Sequence, residues 1–117
     1  MSQADFKTMK YKTMKQSKEE ETIQQIPAKT IIWGEIADKK MSWGEAKKWC
    51  EEQGGRLPTH IELLEAFKTK IKGFKSGNYW SSTEFDSVGA WDVDFDFGYV
   101  GNDNKNDDYY VRCVRDK

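Results

Sequence analysis

The chain has 117 residues and a formal net charge of −1. None of its apolar runs approaches the length of about 20 residues that a helix needs to span a bilayer. This length fits one domain with its own core, and the balanced charge argues against a general nucleic-acid or membrane-surface binder. The polar, Lys-rich N-terminus lacks the apolar stretch of a secretory signal. We therefore expect a small soluble protein with no membrane insertion and no nucleic-acid partner.

The N-terminal residues differ in pattern from the rest of the chain. The motif Lys-Thr-Met-Lys occurs twice at a spacing of five, which suits neither a helix nor a strand. We therefore divide the chain into a flexible or tethering arm, residues 1–29, and a domain, residues 30–117. An alternative role for the arm is oligomerisation.

The domain is expected to begin with a strand and a helix. Residues 30–36 are rich in β-branched and aromatic residues, which predicts a strand. Ser42 and Glu45 match a capping box, so a helix is predicted from about residue 43 to residue 53. The buried stripe predicted for this helix consists of Ala46, Trp49 and Cys50.

A second helix is predicted after a short extended link that contains Arg56 and Pro58. Thr59 and Glu62 match a second capping box. Arg56 is expected to fasten the link to backbone carbonyls or to an acid. The buried stripe predicted for the second helix consists of Ile61, Leu64, Phe67 and Ile71.

The C-terminal half reads as strands and loops. Strands are predicted over residues 79–83, 90–97 and 110–114, and residues 101–108 are predicted to form a polar loop. Residues 90–97 alternate, which predicts one buried and one solvated face. The apolar face would hold Trp91, Val93, Phe95 and Phe97, and the solvated face would hold Asp92, Asp94 and Asp96. The order of elements indicates an α+β fold with a mostly antiparallel sheet.

Residues 85–110, which we call the acidic segment, differ in charge from the rest of the domain. They hold seven Asp and one Lys, and three of the four Asn of the chain. Asp, Asn, Gly and Tyr favour loops, and Tyr suits recognition surfaces. The segment is therefore the main candidate for binding.

An ordered set of motifs carries a family resemblance. It comprises Ile32-Trp33, Ser42-Trp43, Ala46, Cys50, residues 55–59, Glu62-Leu63, residues 79–83 and residues 110–115. The set resembles C-type-lectin-fold domains at the ends of bacterial collagen-like adhesins, which are related in fold to formylglycine-generating enzymes. The resemblance implies a C-type lectin fold with two helices flanking small sheets, and it implies that Cys50 and Cys113 lie close together.

A narrower resemblance is to variable proteins of diversity-generating retroelements, found in phages and archaeal viruses. Their variable segments arise by mutation of adenines, typically in AAY codons. In the acidic segment, only Trp91 and Lys105 are residues that such codons cannot produce. A plain loop-and-strand composition explains the rest equally well. The resemblance implies a virion or cell-surface location, which the residues themselves leave open.

We predict that the acidic segment binds a protein or glycan surface and that the chain is not an enzyme. No cofactor and no metal are predicted. The Asp row lacks the spacing of an EF-hand loop and the Glu-Pro-Asn and Trp-Asn-Asp motifs of calcium-binding lectins, so a solvated strand face is the preferred interpretation. The candidate ligand-binding residues are Ser87, Asp94, Asp96, Tyr99, Asn102, Asp103, Asn104, Asn106, Asp108 and Tyr109.

Two other functions are weighed against binding. A formylglycine-generating type of enzyme would need a catalytic constellation, and the single histidine, His60, lies in the first turn of a helix without one. An assembly domain would act through residues 1–29. The residues expected to be buried in the core are Trp43, Trp49, Leu57, Leu64, Phe67, Trp80 and Val111.

Overall fold

A computed structural model of the chain describes residues 30–117, so the proposed N-terminal arm lies outside the described residues. Residues Ile31–Lys117 form one compact unit. Its elements are β1 (Ile31–Ile36), α1 (Trp43–Glu52), α2 (His60–Lys68), β2 (Asn78–Glu84), β3 (Gly89–Asp94), β4 (Val100–Asn104) and β5 (Arg112–Asp116).

The strands form two small antiparallel sheets, and this confirms the predicted α+β class. β1 pairs with β5, which joins the two ends of the unit, and β2, β3 and β4 form a meander. The two helices lie between β1 and β2 in the chain and contact β2, β3 and β5. Within residues 30–117 no helix is long and apolar enough to cross a membrane.

Both helices begin at the predicted capping boxes. The side chains of Ser42 and Thr59 accept hydrogen bonds from the backbone N–H groups of Glu45 and Glu62, and each glutamate binds back to the N-cap backbone. This reciprocal arrangement satisfies N–H groups that a helix start leaves without partners. The predicted helix starts are therefore confirmed.

The buried face of α2 differs from the predicted stripe. Ile61 is 66% exposed, and Ile71 lies beyond the helix and is also exposed. Leu63 and Ala66 are buried instead, whereas Leu64 and Phe67 are only half-buried. The reason is Glu62, which turns inward to bind Arg56 and so sets the rotation of the helix.

The guanidinium group of Arg56 joins α2 to β5, in agreement with the structural role expected for this residue. Its Nη1 and Nη2 donate to the two carboxylate oxygens of Glu62 at 2.9 Å each, and Nη2 also binds Asp116 at 3.0 Å. Burial raises the pKa of Glu62, but the hydrogen bonds from Arg56 and the Thr59 backbone outweigh it and leave the pKa below its usual value.

A disulfide bond joins Cys50 of α1 to Cys113 of β5, with the two Cα atoms 5.5 Å apart. The expected proximity of the two cysteines is confirmed. Next to the bond, a Cβ atom on Gly55 would lie 2.4 Å from the carbonyl oxygen of Val114. Only glycine allows the end of α1 to approach β5 this closely.

Trp80 lies at the centre of the main core and is fully buried. Its indole N–H donates to the carbonyl of Met41 at 2.9 Å, and the indole of Trp43 donates to the carbonyl of Ser81 at 2.9 Å. Both tryptophans therefore satisfy their polar groups inside the core. Burial is confirmed for Trp43, Leu57, Trp80 and Val111, whereas Trp49, Leu64 and Phe67 are half-buried.

The meander corrects three predictions about the C-terminal half. The strand predicted over residues 90–97 ends at Asp94, because Gly98 takes a φ of +78° and donates to the carbonyl of Asp94 to close a turn. Phe97 lies in that turn and is 71% exposed. The polar stretch after it is not a loop throughout, since Val100–Asn104 pair with β3 as strand β4.

The third correction concerns Asp92, which is 2% exposed rather than solvated. The segment after β4 covers this face of the sheet, since Tyr109 packs edge-on against Trp80 with ring centroids 4.9 Å apart. The closing strand is also shorter at its start than predicted. It begins at Arg112, and Tyr109 and Tyr110 instead form isolated bridges to Met41 and Tyr79.

Candidate recognition surface

The acidic segment supplies β3, β4 and the loops at their ends, so the pairing of these strands places its side chains. In β4, residues 100, 102 and 104 point to one side of the sheet and residues 101 and 103 to the other. We call the first side the Trp91 face, since Asn102 pairs with Trp91. We call the other the Asp92 face, since Gly101 pairs with Asp92.

The Trp91 face carries two of the candidate binding residues on β4. Asn102 and Asn104 are both exposed, opposite Trp91 and Gly89. Trp91 is half-buried, with ring centroids 6.2 Å from His60 and 5.3 Å from Phe85. The amides therefore flank an aromatic cluster that β3 and α2 hold in place.

A tight loop next to this face presents Ser87. The carboxylate of Asp86 accepts hydrogen bonds from the backbone N–H groups of Val88 at 3.0 Å and Gly89 at 2.7 Å. Ser87, Val88 and Phe85 are all exposed on this loop. The loop is thus a constrained turn with apolar and hydroxyl groups at its surface.

The Asp92 face carries a different set of candidate residues. Asp94 and Asp103 lie on this side, and Tyr109 packs above it; all three are half-buried. Oδ1 of Asp92 accepts a hydrogen bond from the Asn78 amide at 2.9 Å. This part of the candidate site is therefore a packed polar cluster rather than an open display surface.

Two carboxyl groups approach each other in this cluster. Burial raises the pKa of Asp92 to about 8, with further contributions from the hydrogen bond and the charge of Asp103, and the Asn78 hydrogen bond opposes the shift only in part. Burial and the charges of Asp103, Asp92 and Asp107 raise the pKa of Tyr109 to about 12. Tyr109 is thus a neutral phenol beside Asp103 at neutral pH.

The turn between β3 and β4 holds Asp96 and Tyr99. Both are exposed, and the ring of Tyr99 stacks on Phe97 with centroids 5.7 Å apart. Asp96 accepts a hydrogen bond from Ser76, and its backbone N–H binds the Asp94 carboxylate at 2.9 Å. The turn is therefore held by polar contacts while it exposes two rings.

Asn106 and Asp108 follow β4 and are both exposed. The backbone N–H of Asn106 donates to the side-chain oxygen of Asn104 at 2.8 Å. The structure thus brings Asn102 and Asn104 to one side of the meander and Asp94, Asp103 and Tyr109 to the other, whereas Ser87 lies in the loop between β2 and β3. Asp96 and Tyr99 lie at its tip.

Near the candidate site, sequence reasoning missed the exposure of the apolar side chains of Phe85, Val88 and Phe97. Strand alternation had placed Phe97 in the core, and the turn at Gly98 removes it from the strand. The exposure of Phe85 and Val88 could have been predicted from Asp86-Ser87 between them, because such a pair favours a turn and a turn exposes its flanking residues.

Lys105 anchors the end of β4. Its Nζ donates to Glu84 at 2.7 Å and to the Ser87 carbonyl at 3.2 Å, and it lies 4.5 Å from the ring centroid of Trp43. Its backbone N–H also binds the carbonyl of Val88 at 2.8 Å. The one cation of the acidic segment is therefore a structural clamp between two loops.

Nothing in residues 30–117 gathers three or more His, Cys, Asp or Glu side chains into a metal-binding cluster. His60 binds the Thr83 hydroxyl through Nδ1 at 2.9 Å and is half-buried, so it is less exposed than its place in the helix suggested. A groove of about 670 Å³ lies elsewhere, along β1 and α1, and includes Trp33, Ile36 and Trp49 in its lining.

Comparisons with known proteins agree with this architecture. The crystal structure of natural killer cell receptor Ly49C superposes with a TM-score of 0.56 at 15% identity, covering 74% of this chain and 92% of that one. The fold is thus C-type lectin-like, as the resemblance implied. No curated protein matches the chain significantly. The sequence model of the protein family called Lcl C-terminal domain matches residues 25–115. The chain therefore belongs to the Lcl C-terminal domain family.

Proposed function

We propose that this chain is a ligand-binding domain whose acidic segment recognises a protein or glycan surface and is diversified by a retroelement. The observation that supports this proposal is the alternation of exposure along β4. Asn102 and Asn104 face solvent, whereas Asp103 between them is half-buried beside Asp92 and Tyr109. Rigid elements that carry exposed, replaceable side chains are typical of binding domains.

The two residues of the acidic segment that mutated AAY codons cannot produce, Trp91 and Lys105, support diversification by a retroelement. Trp91 packs between His60 and Phe85, and Lys105 clamps Glu84 to the loop that carries Ser87. Both are anchors whose replacement would disturb the scaffold. A segment that varies at its display positions would keep such residues fixed.

A binding role is also favoured over catalysis. The fold is shared with a natural killer cell receptor, and both the family and the fold fit a ligand-binding domain. Exposed aromatic side chains such as Tyr99 and Phe97 offer contact area at low entropic cost.

The test uses three surface-displayed libraries, each scored for folding by protease resistance and for binding to lysozyme as a chosen target. One library randomises the exposed candidates Ser87, Asn102, Asn104, Asn106 and Asp108. The matched control randomises the exposed side of α1 at Lys47, Lys48, Glu51 and Glu52.

We expect most members of both libraries to fold, because exposed substitutions away from special contacts usually change stability by less than about 0.5 kcal/mol. Lysozyme binders should come from the first library alone. A third library at Asp103 should lose folded members. Widespread unfolding in the first library, or equal numbers of binders from the α1 control, would contradict the proposal.

The retroelement has a separate test in the genome. A reverse transcriptase gene beside this one, with an imperfect repeat of the sequence that encodes residues 78–112, would support diversification. A repeat that differs at positions other than adenines would contradict it.

A further inference from the structure

The Asp92 face holds a row of polar side chains that crosses the three strands of the meander. Asn78 of β2, Asp92 of β3 and Asp103 of β4 share one side of the sheet. Asp92 pairs with Trp80 of β2 and with Gly101 of β4, and Asn78 and Asp103 each lie two residues from these partners, so their side chains point to the same side. Tyr109 lies above the row, beside Asp103, whose charge contributes to the raised pKa of this tyrosine. The row joins the edge strand β4 to the centre of the sheet.

One oxygen in this row has no ordinary donor. Oδ1 of Asp92 accepts from Asn78, but within residues 30–117 no N–H or O–H group of another residue donates to Oδ2, although it is buried. The neighbouring group is the carboxyl of Asp103. Two carboxylates have no proton to share, so the contact is favourable only when one of them is protonated.

We propose that Asp92 keeps its proton in the folded protein and donates it to Asp103, so that the pair acts as a proton-linked latch on β4. At neutral pH the latch holds β4 to the row through the proton that Asp92 shares with Asp103. At alkaline pH the proton leaves, the buried carboxylate of Asp92 faces the half-buried carboxylate of Asp103, and β4 is released from the row.

The charged groups around the latch all disfavour a charge on Asp92, and only the hydrogen bond from Asn78 acts against this effect. Asp94 on the same strand and Asp103 on β4 both disfavour a charge on Asp92, and the neutral Asn78 faces it from β2. Beyond β4, Asp107 and Tyr109 bring no cation, and the ammonium group of Lys105 is directed to Glu84. Burial is the largest cause of the raised pKa of Asp92, at about 8.

The latch gives a stability change of defined sign. Below a pH of about 4 the Asp92 carboxyl is protonated in both the folded and the unfolded chain. Between there and its folded pKa of about 8, the unfolded chain has released the proton and the folded chain has kept it. Stability is therefore full at low pH and is lost as pH rises through this window.

The first test measures urea unfolding from about pH 5 to about pH 9 for the wild type, Asp92→Asn and the control Asp94→Asn. Relative to Asp92→Asn, the wild-type folding constant should fall about tenfold per pH unit up to its folded pKa. Asp94→Asn should keep the wild-type slope below the folded pKa of Asp92, since the charge of Asp94 is the smallest of the causes that raise this pKa. Equal slopes for the wild type and Asp92→Asn would overturn the proposal.

A second measurement needs no variant that must fold. Infrared spectra of the wild type at pH 7 should contain the carbonyl stretch of a protonated carboxyl group, and the band should disappear as pH passes about 9. Absence of the band at pH 7 would overturn the proposal even if Asp92→Asn failed to fold.

The consequence for binding rests on the proposed function, because β4 also carries Asn102 and Asn104, which belong to the proposed recognition surface. Amide hydrogen exchange of residues 100–104, corrected for intrinsic rates, should speed up at least tenfold from pH 7 to pH 9 in the wild type. It should not do so in Asp92→Asn. Unchanged exchange would refute the release of β4, whereas the library experiment alone decides whether the surface binds.

Discussion

Removal of the Cys50–Cys113 bond tests how the two ends of the domain are held together. The bond spans 63 residues of sequence and joins α1 to the last strand. The chain-entropy relation assigns a loop of this length about 4 kcal/mol of stability, because the crosslink restricts the unfolded chain. Reduction should therefore remove a large part of a stability that is on the order of 5–15 kcal/mol for a domain.

The assay is urea unfolding of the oxidised protein, the reduced protein and the Cys50→Ala/Cys113→Ala variant, with free thiols counted in each. The reduced wild type separates the loss of the crosslink from the cavity that alanine leaves, since Cys50 is fully buried. The double variant should be less stable still and should not respond to reductant. A difference of less than about 1 kcal/mol between oxidised and reduced protein would refute the entropic estimate. Two free thiols in the untreated protein would refute the bond.

Two further substitutions test contacts that set the elements. Arg56→Lys keeps the charge but loses the paired bonds to Glu62, whose side chain is 8% exposed. We expect this variant to have a free energy of unfolding, measured in urea at pH 7, that is about 2 kcal/mol lower than that of the wild type. The wild type loses stability as pH falls through the lowered pKa of Glu62, and the variant should lose less, because fewer hydrogen bonds keep this pKa low. Gly98→Ala would place a Cβ 2.6 Å from the ring of Phe67 at a φ of +78°, so a loss of about 1–3 kcal/mol is expected. Gly101→Ala is the matched control, since nothing lies within 4 Å of its added Cβ, and an equal loss there would contradict the steric argument.

Local signals explain what the sequence could predict. The helix starts followed from Ser42 and Thr59, because a capping box is complete within four residues and needs no distant partner. The class of fold followed from the order of helices and strands. The proximity of Cys50 and Cys113 came from the family resemblance, and the structure confirms it.

Long-range contacts explain what the sequence could not predict. Alternation showed that the two faces of β3 differ, but not that Tyr109 would return to cover the side with Asp92. Val100–Asn104 has a composition that disfavours strands, and pairing with β3 overrides that preference. Likewise, the rotation of α2 depends on Arg56, which lies outside the helix.

The candidate site illustrates the same limit at the level of single residues. The composition of the acidic segment suggested one display surface, yet adjacent residues of β4 face opposite ways. Asn102 and Asn104 have open space for exchange, whereas Asp103 is tied to Asp92 and Tyr109 and cannot change without cost. A diversified β4 would therefore tolerate variation at every second residue, with the intervening carboxyl holding the strand against the sheet. Because that carboxyl shares a proton in the proposed latch, the rigidity of the Trp91 face and the protonation of the Asp92 face are coupled through one strand.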